Sequence, residues 1–355
     1  MTTWMKRPAR LACGAVLGIM AAALDAHAAE FEWKMATPYS GGPWLERDVQ
    51  LFIENVRDLT DGRVEITAYP GGTLYSQLKV TEGVSKGVAE AGHNWPGYDW
   101  GVNETTVLFA GHPFGMTPEE LMLWFYSGGG LELWEEFRRE QFGVVSLPCT
   151  IGGTSTGFHS HKPVQTLEDF KGLKLRTSGA FAEIAARLGA STMVIPGAEV
   201  YEALERHVID AVEWGSPEIN RATGFLDIAQ YVITPGLDLA GGSFECMFNP
   251  EAWDSLTDGD RDRIRLAAKH TLFETWVLGS ASDLDAFEGF AEGANEIVRV
   301  DDEVLDAINK ATRQWEDEIA AENEWFAKAL SSQRAFKEKL AVWPEYRFQI
   351  GTLGK

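Results

Sequence analysis

The chain is poor in cysteine and in positive charge, and beyond its N-terminal segment it has no long apolar run. Three cysteines occur in 355 residues, and 31 Lys and Arg stand against 53 Asp and Glu, a formal net charge of −22. A field of that sign repels nucleic acid and anionic lipid, so neither is expected as a partner. If the ligand is an anion, its site must carry local positive charge. No stretch after the N-terminal segment reaches the roughly 18 apolar residues of a membrane-spanning helix.

What is present is enough for a core. Apolar residues make up 45% of the chain, which argues against wholesale disorder, and the length suits one large domain or two ordinary ones. The first residues read as a targeting segment. Lys6, Arg7 and Arg10 precede the apolar run Leu11 to Leu24, and Ala26-His27-Ala28 follows as a small-residue cleavage site. Residues 1–28 are therefore expected to be a secretory signal peptide, too short to span a bilayer. Without Lys6, Arg7, Arg10 and Asp25, the remaining chain holds 28 basic and 52 acidic residues, against 31 and 53 in the whole. Cys149 and Cys246 remain after cleavage; an exported compartment permits a disulfide between them, and free buried thiols are the alternative.

Periodicity gives α/β wiring. Phe31 to Ala36 and Val64 to Tyr69 read as strands, Trp44 to Thr60 as a helix stopped by Asp61-Gly62, and Gln77 to Lys86 as a second helix. A second round follows: Val144 to Ile151 is a strand, Ala180 to Gly189 a helix, Ser191 to Pro196 a strand, Glu199 to His207 a helix and Ile209 to Trp214 a strand. This alternation predicts parallel sheets with helices on their faces, in two lobes. From Glu251 onward the pattern is almost entirely helical, with Val304 to Trp343 long and amphipathic.

Gly153-Thr154-Ser155-Thr156-Gly157 satisfies G-x-S-x-G, the nucleophile elbow of serine hydrolases. An elbow needs a helix directly after the serine. Here Phe158 to Pro163 reads as extended chain ending at a proline, so an exported serine hydrolase using Ser155 is the lesser reading. His159 and His161, at i and i+2, supply half a metal site without an evident third ligand.

The run from Leu167 to Trp214 points elsewhere. Leu167, Phe170, Lys171, Gly172, Leu175, Arg176, Leu188, Gly189, Ala190, Pro196, Glu199, Tyr201, Ala203, Leu204, Ile209, Asp210 and Ala211 resemble the signature region of periplasmic solute-binding proteins of TRAP transporters. Tyr69-Pro70-Gly71-Gly72-Thr73-Leu74, followed by a helix and Gly87 to Ala91, resembles that family's first lobe. The resemblance covers essentially the whole chain after the signal segment. It implies a two-lobed periplasmic binding protein whose cleft closes on an organic anion and delivers it to membrane permease subunits. The implied lobes are 30–148 plus 233–278 and 149–232 plus 279–330, with 331–355 as a C-terminal helix and tail.

The resemblance assigns Arg176 as the carboxylate anchor, a role that a planar, permanently charged guanidinium fills well. Glu213-Trp214 is similar to the branch that binds 2-oxo and 2-hydroxy monocarboxylates with a bridging cation. One cation, a ligand carboxylate and Glu213 leave an excess negative charge in the cleft, which Na⁺ or Ca²⁺ would neutralise through Glu213, the Trp214 carbonyl and Thr154. Thr154 or Ser155 stands where that branch has a glutamine. Ala240, rather than an acid, stands just before Gly241-Gly242, with Asp238 earlier. Tyr98 is expected at the cleft from the first lobe, with Phe114 a weaker candidate. Ser331 to Trp343 resembles the arm through which that branch forms swapped homodimers. Sugar acids and dicarboxylates are the alternative ligands within the same fold.

Overall fold

Both halves of the molecule are built on mixed sheets, not on the wholly parallel ones that the alternation predicts, because one strand of each sheet enters from the other lobe and runs antiparallel to its neighbours. The computed structural model describes residues 29–343; the expected signal peptide and residues 344–355 of the C-terminal tail lie outside them. The strands are β1 (Phe31–Ala36), β2 (Val64–Tyr69), β3 (Ala91–Asn94), β4 (Val145–Gly152), β5 (Phe158–Ser160), β6 (Lys174–Arg176), β7 (Ser191–Met193), β8 (Ala211–Glu213), β9 (Tyr231–Thr234), β10 (Gly242–Phe248) and β11 (Glu296–Arg299). They form a five-stranded sheet ordered β2-β1-β3-β10-β4 and a six-stranded sheet ordered β11-β9-β5-β8-β6-β7. Each combines parallel α/β pairs with antiparallel strands that arrive from the other sheet, β10 in the first and β5 in the second. This is the two-lobed α/β architecture expected from the alternation.

The chain crosses between sheets at 153–157 and 235–241. These crossings lie beyond the lobe edges expected at 148 and 232, because backbone pairing continues further: Gly152 is still opposite Gly242, and Ile233 still opposite Phe158. A third connection is the helix Asp258–Glu292, continuous through the expected edge at 278. On the first lobe, Asn55 Nδ2 donates to Thr271 and Glu274, and Thr275 accepts from the Ile151 amide at 3.2 Å. On the second, Asp283 accepts from the Glu218 amide.

The glycines of GTSTG serve the first crossing. Gly157 has φ +109°, and a Cβ there would stand 2.2 Å from the Ile233 carbonyl oxygen. A Cβ on Gly153 would stand 2.8 Å from the Asp283 carboxylate. Chain contact, rather than exposure of a nucleophile, explains the motif.

Cys149 and Cys246, on the paired strands β4 and β10, form a disulfide with a Cα–Cα distance of 5.6 Å. The long helical pattern near the C-terminus is two helices, Asp302–Glu322 and Glu324–Leu340. Asn323 breaks the pattern by capping the second helix, its side chain accepting from the Phe326 amide at 3.1 Å. That second helix packs on its own chain: Gln333 donates to the Leu108 carbonyl, and Trp124 Nε1 donates to Ser332. Among the described residues no helix is long and apolar enough to cross a membrane.

Candidate functional site

The ends of β6 and β8 meet at the crossings. The strands run in parallel, with Arg176 at the end of β6 opposite Val212 and Glu213 one residue further at the end of β8, so both lie where the sheet opens, the usual place for a ligand in open α/β folds. The cavity there is lined from both lobes. Tyr39, Trp44, Trp95, Tyr98 and Phe244 come from the first, and Arg176, Phe181, Glu213 and Trp214 from the second; Ser155 and Asp238 come from the crossings. Its volume is about 60 Å³. An ordered water needs roughly 10–15 Å³, so the space holds several water-sized groups and suits a small guest.

Arg176 is only 1% exposed. Its Nη1 donates to the Glu213 carbonyl at 3.0 Å and its Nη2 to the Ile195 carbonyl at 3.4 Å, while Nε has no protein partner. Its guanidinium carbon lies 4.6 Å from the centre of the Trp214 ring. The arginine is thus held by carbonyls and a ring, with no carboxylate in a bidentate pair with it. Its charge remains available to a guest.

Two acids face it. The Thr177 hydroxyl donates to Glu213 Oε2 at 2.9 Å. Burial pushes the Glu213 carboxyl up, and the Arg176 charge opposes this. Asp238 is 4% exposed, and neither of its oxygens has a hydrogen-bond partner. Burial first, and then the charge of Glu213, raise its carboxyl well above the usual range. Ser155 stands near it, but that hydroxyl is engaged with Gly157, accepting from its amide at 2.9 Å. The aromatic wall is equally dry: burial raises the phenols of Tyr39 and Tyr98, with Arg176 opposing in both.

The sequence-expected residues divide clearly. Arg176, Glu213, Trp214, Tyr98 and Ser155 come together at the cavity. Thr154 does not: it is exposed, and its hydroxyl donates to the Ala240 carbonyl at 2.8 Å, tying one crossing to the other. Successive residues of an extended chain face opposite sides, so Ser155 takes the inward place. Phe114, 43% exposed, lies beside the C-terminal helices and away from the cleft. His159 and His161 do not form half a site. His159 is sealed between Phe225 and Phe290, and His161 donates to the Leu204 carbonyl from beyond the strand. Ser155 leads into strand β5, so no elbow forms.

Tyr39, Trp44 and Phe244 were not anticipated. A signal existed for the first two, since the Gly-rich Thr37 to Trp44 segment follows the end of β1, where cleft loops belong.

Residues 40–323 match the family model described as bacterial extracellular solute-binding protein, family 7. The chain belongs to this family. It is 28% identical over 313 residues to a monocarboxylate 2-oxoacid-binding periplasmic protein of Nostoc sp. (strain PCC 7120), covering 88% of this chain and 85% of that protein. A TRAP periplasmic solute-binding protein from Pseudoalteromonas atlantica, solved with bound sodium and pyruvate, superposes with a TM-score of 0.84 at 31% identity, covering 89% of this chain and 96% of that one. A TRAP solute-binding protein from Bordetella bronchiseptica, solved as a dimer with calcium and picolinate in one active site, gives a TM-score of 0.85 at 27% identity, covering 89% and 94%. The family member described here is thus a periplasmic solute-binding protein of TRAP type, as the signature around Arg176 implied. Its family is one of transporter components.

Proposed function

We propose that the cleft captures a small 2-oxo or 2-hydroxy monocarboxylate together with a cation and presents it to the TRAP permease subunits. The observation that carries this reading is a buried guanidinium with an unpartnered Nε, in one cavity with two buried acids and enclosed by aromatic rings. Arg176 takes the carboxylate. Glu213, Asp238 and a ligand carboxylate outnumber Arg176 by two charges, an imbalance too costly for a closed cavity unless a proton or a cation offsets it.

The residues fit a hard cation. Asp238 offers two buried oxygens without partners, Glu213 stands beside it, and every donor is oxygen, the set that Na⁺ and Ca²⁺ take. Among the described residues no group of three or more His, Cys, Asp or Glu gathers, so the remaining ligands are neutral oxygens and the guest itself. When bound, the cation supplies charge balance and a second hold on the guest. The relatives solved with pyruvate and sodium, or with picolinate and calcium, support the same chemistry here.

The test is calorimetric titration of pyruvate into the chelated protein, with Na⁺ or Ca²⁺ restored, followed by recovery of the ligand. Binding that needs a cation and returns unchanged pyruvate is expected. Binding only of dicarboxylates or sugar acids would refute the monocarboxylate assignment.

A further inference from the structure

Two segments that wall the cavity also meet outside it. Trp44 opens the helical segment Trp44–Val49 of the first lobe; Trp214 precedes the helix Pro217–Ala222 of the second. The two indole rings pack at a tilt of 49° with centroids 5.7 Å apart. One turn beyond Trp44, the Arg47 Nη1 donates to both carboxylate oxygens of Glu218, at 2.7 and 2.8 Å. Arg47 Nε donates to Asp48 Oδ1 at 2.7 Å, which aims the guanidinium across the gap. From the other side, the Glu218 amide donates to Asp283 on the connecting helix at 2.9 Å. The paired side chains are 24% and 15% exposed, and neither lines the cavity.

We propose that Arg47 and Glu218 form an inter-lobe clasp that sets ligand affinity by holding the lobes together, without touching the ligand. Both are positioning residues. The argument is one of populations. A ligand that needs the closed form binds with an apparent affinity reduced by the fraction of protein already closed. An ion pair that exists only when the lobes meet raises that fraction. This pair is half-buried, charge-assisted and fixed at both ends by further hydrogen bonds, so it escapes most of the screening and side-chain disorder that make exposed pairs weak. It also opposes a general effect: both lobes belong to a chain of net charge −22, so closure brings like charge together. The proposal rests on the cleft reading above for its ligand but not for its geometry.

The experiment is a double-mutant cycle on the whole mature protein with Arg47→Met, Glu218→Gln and the two combined. Charge reversal is unsuitable because Asp48 would repel an acid at position 47. Glu218→Gln keeps the side-chain shape and the hydrogen bond that the backbone N–H of residue 218 donates to Asp283, and a circular-dichroism melt verifies folding. Pyruvate with calcium is the probe, with dissociation followed by tryptophan fluorescence and lobe separation by small-angle scattering of the ligand-free protein. Each single variant is expected to weaken pyruvate about tenfold, mostly through faster dissociation, and to enlarge the ligand-free particle. The double variant should be no worse than either single. Single variants with wild-type affinity and scattering, or losses that add in the double, would overturn the clasp. If the wild type itself ignores pyruvate, the ligand assignment fails while scattering alone still decides the clasp.

Discussion

Arg176 and Trp214 are stacked, the guanidinium carbon 4.6 Å from the ring centre, while the arginine's Nη1 donates to the carbonyl of Glu213, the residue just before that tryptophan. One strand end thus supplies a face and an edge for the same cation. Lysine can keep the charge but neither the stack nor the fork. Arg176→Lys is expected to weaken carboxylate binding by at least about a hundredfold, a loss of roughly 3 kcal/mol. Calorimetry reads the loss, and near-wild-type affinity would remove the arginine from the anchor role.

Asp238 should carry the cation dependence. In the wild type, pyruvate is expected to raise the melting temperature far more with calcium than with chelator. Asp238→Asn keeps the shape and removes a carboxyl whose charged form burial and Glu213 both disfavour. The ligand-free variant should therefore melt at or above the wild type, while the calcium-dependent increment disappears. A variant that retains the full increment would show that the cation sits elsewhere.

Much of this could be read in the sequence, and the misses have physical causes. β1 and β2 were visible because their apolar residues alternate between helical stretches. Arg176 was visible through the family resemblance, and its place at a strand end before Thr177-Ser178-Gly179 agrees with that role. Asp238 and Ser155 lie in crossings without periodicity, where direction is set by the opposite crossing. A one-residue error there exchanges Thr154 for Ser155. Phe244 looks like a core residue of β10, and Tyr39 and Trp44, though in a loop at a strand end, become a wall only where the two lobes meet. β11 was missed because Glu296 to Arg299 is a short segment in a helical stretch, and its partner β9 lies over sixty residues away.

Two sealed histidines predict the acid response. Burial lowers His93 to about 3 and His159 to about 4. Their folded values lie below the unfolded value of about 6.5, so below that pH the unfolded chain takes up protons that the folded one refuses. Their contribution to stability is complete above pH 6.5 and falls as pH drops from there toward 4. His159, with neither nitrogen partnered and phenylalanine on two sides, should accept a phenyl ring. His159→Phe is expected to melt higher than the wild type at pH 5 and to show a shallower loss between pH 6.5 and 4. Parallel pH curves for the two proteins would contradict this.

Gly157 should tolerate no side chain. At φ +109°, with a Cβ placed 2.2 Å from the Ile233 carbonyl oxygen, alanine would strain the backbone and push two strands of the second sheet apart. Gly157→Ala is expected to lose about 2–4 kcal/mol, whereas Ser155→Ala, which removes only a hydroxyl bonded within its own loop, should lose far less. Denaturant titration of both variants separates the crossing role from any role of the serine as nucleophile.

The disulfide offers the largest single stability test. Cys149 and Cys246 are both fully buried and bridge residues 97 apart in sequence, joining neighbouring strands β4 and β10 of the first sheet. A closure of that length removes about 4–5 kcal/mol of chain entropy from the unfolded state in the loop model. The same strands border the two crossings, since β4 ends at Gly152 just before the first and β10 begins at Gly242 just after the second. The double variant Cys149→Ala, Cys246→Ala should therefore melt well below the wild type, and reductant should lower the wild type toward it only under conditions that unfold the first lobe, because folded thiolate access is blocked. Arg176, Glu213 and Trp214 belong to the other lobe, so ligand affinity below the melting transition should change by less than threefold, about 0.7 kcal/mol. A large affinity loss in the fully folded double variant would mean that the disulfide shapes the cleft itself, and identical melting curves with and without the bridge would mean that the strands are held without it.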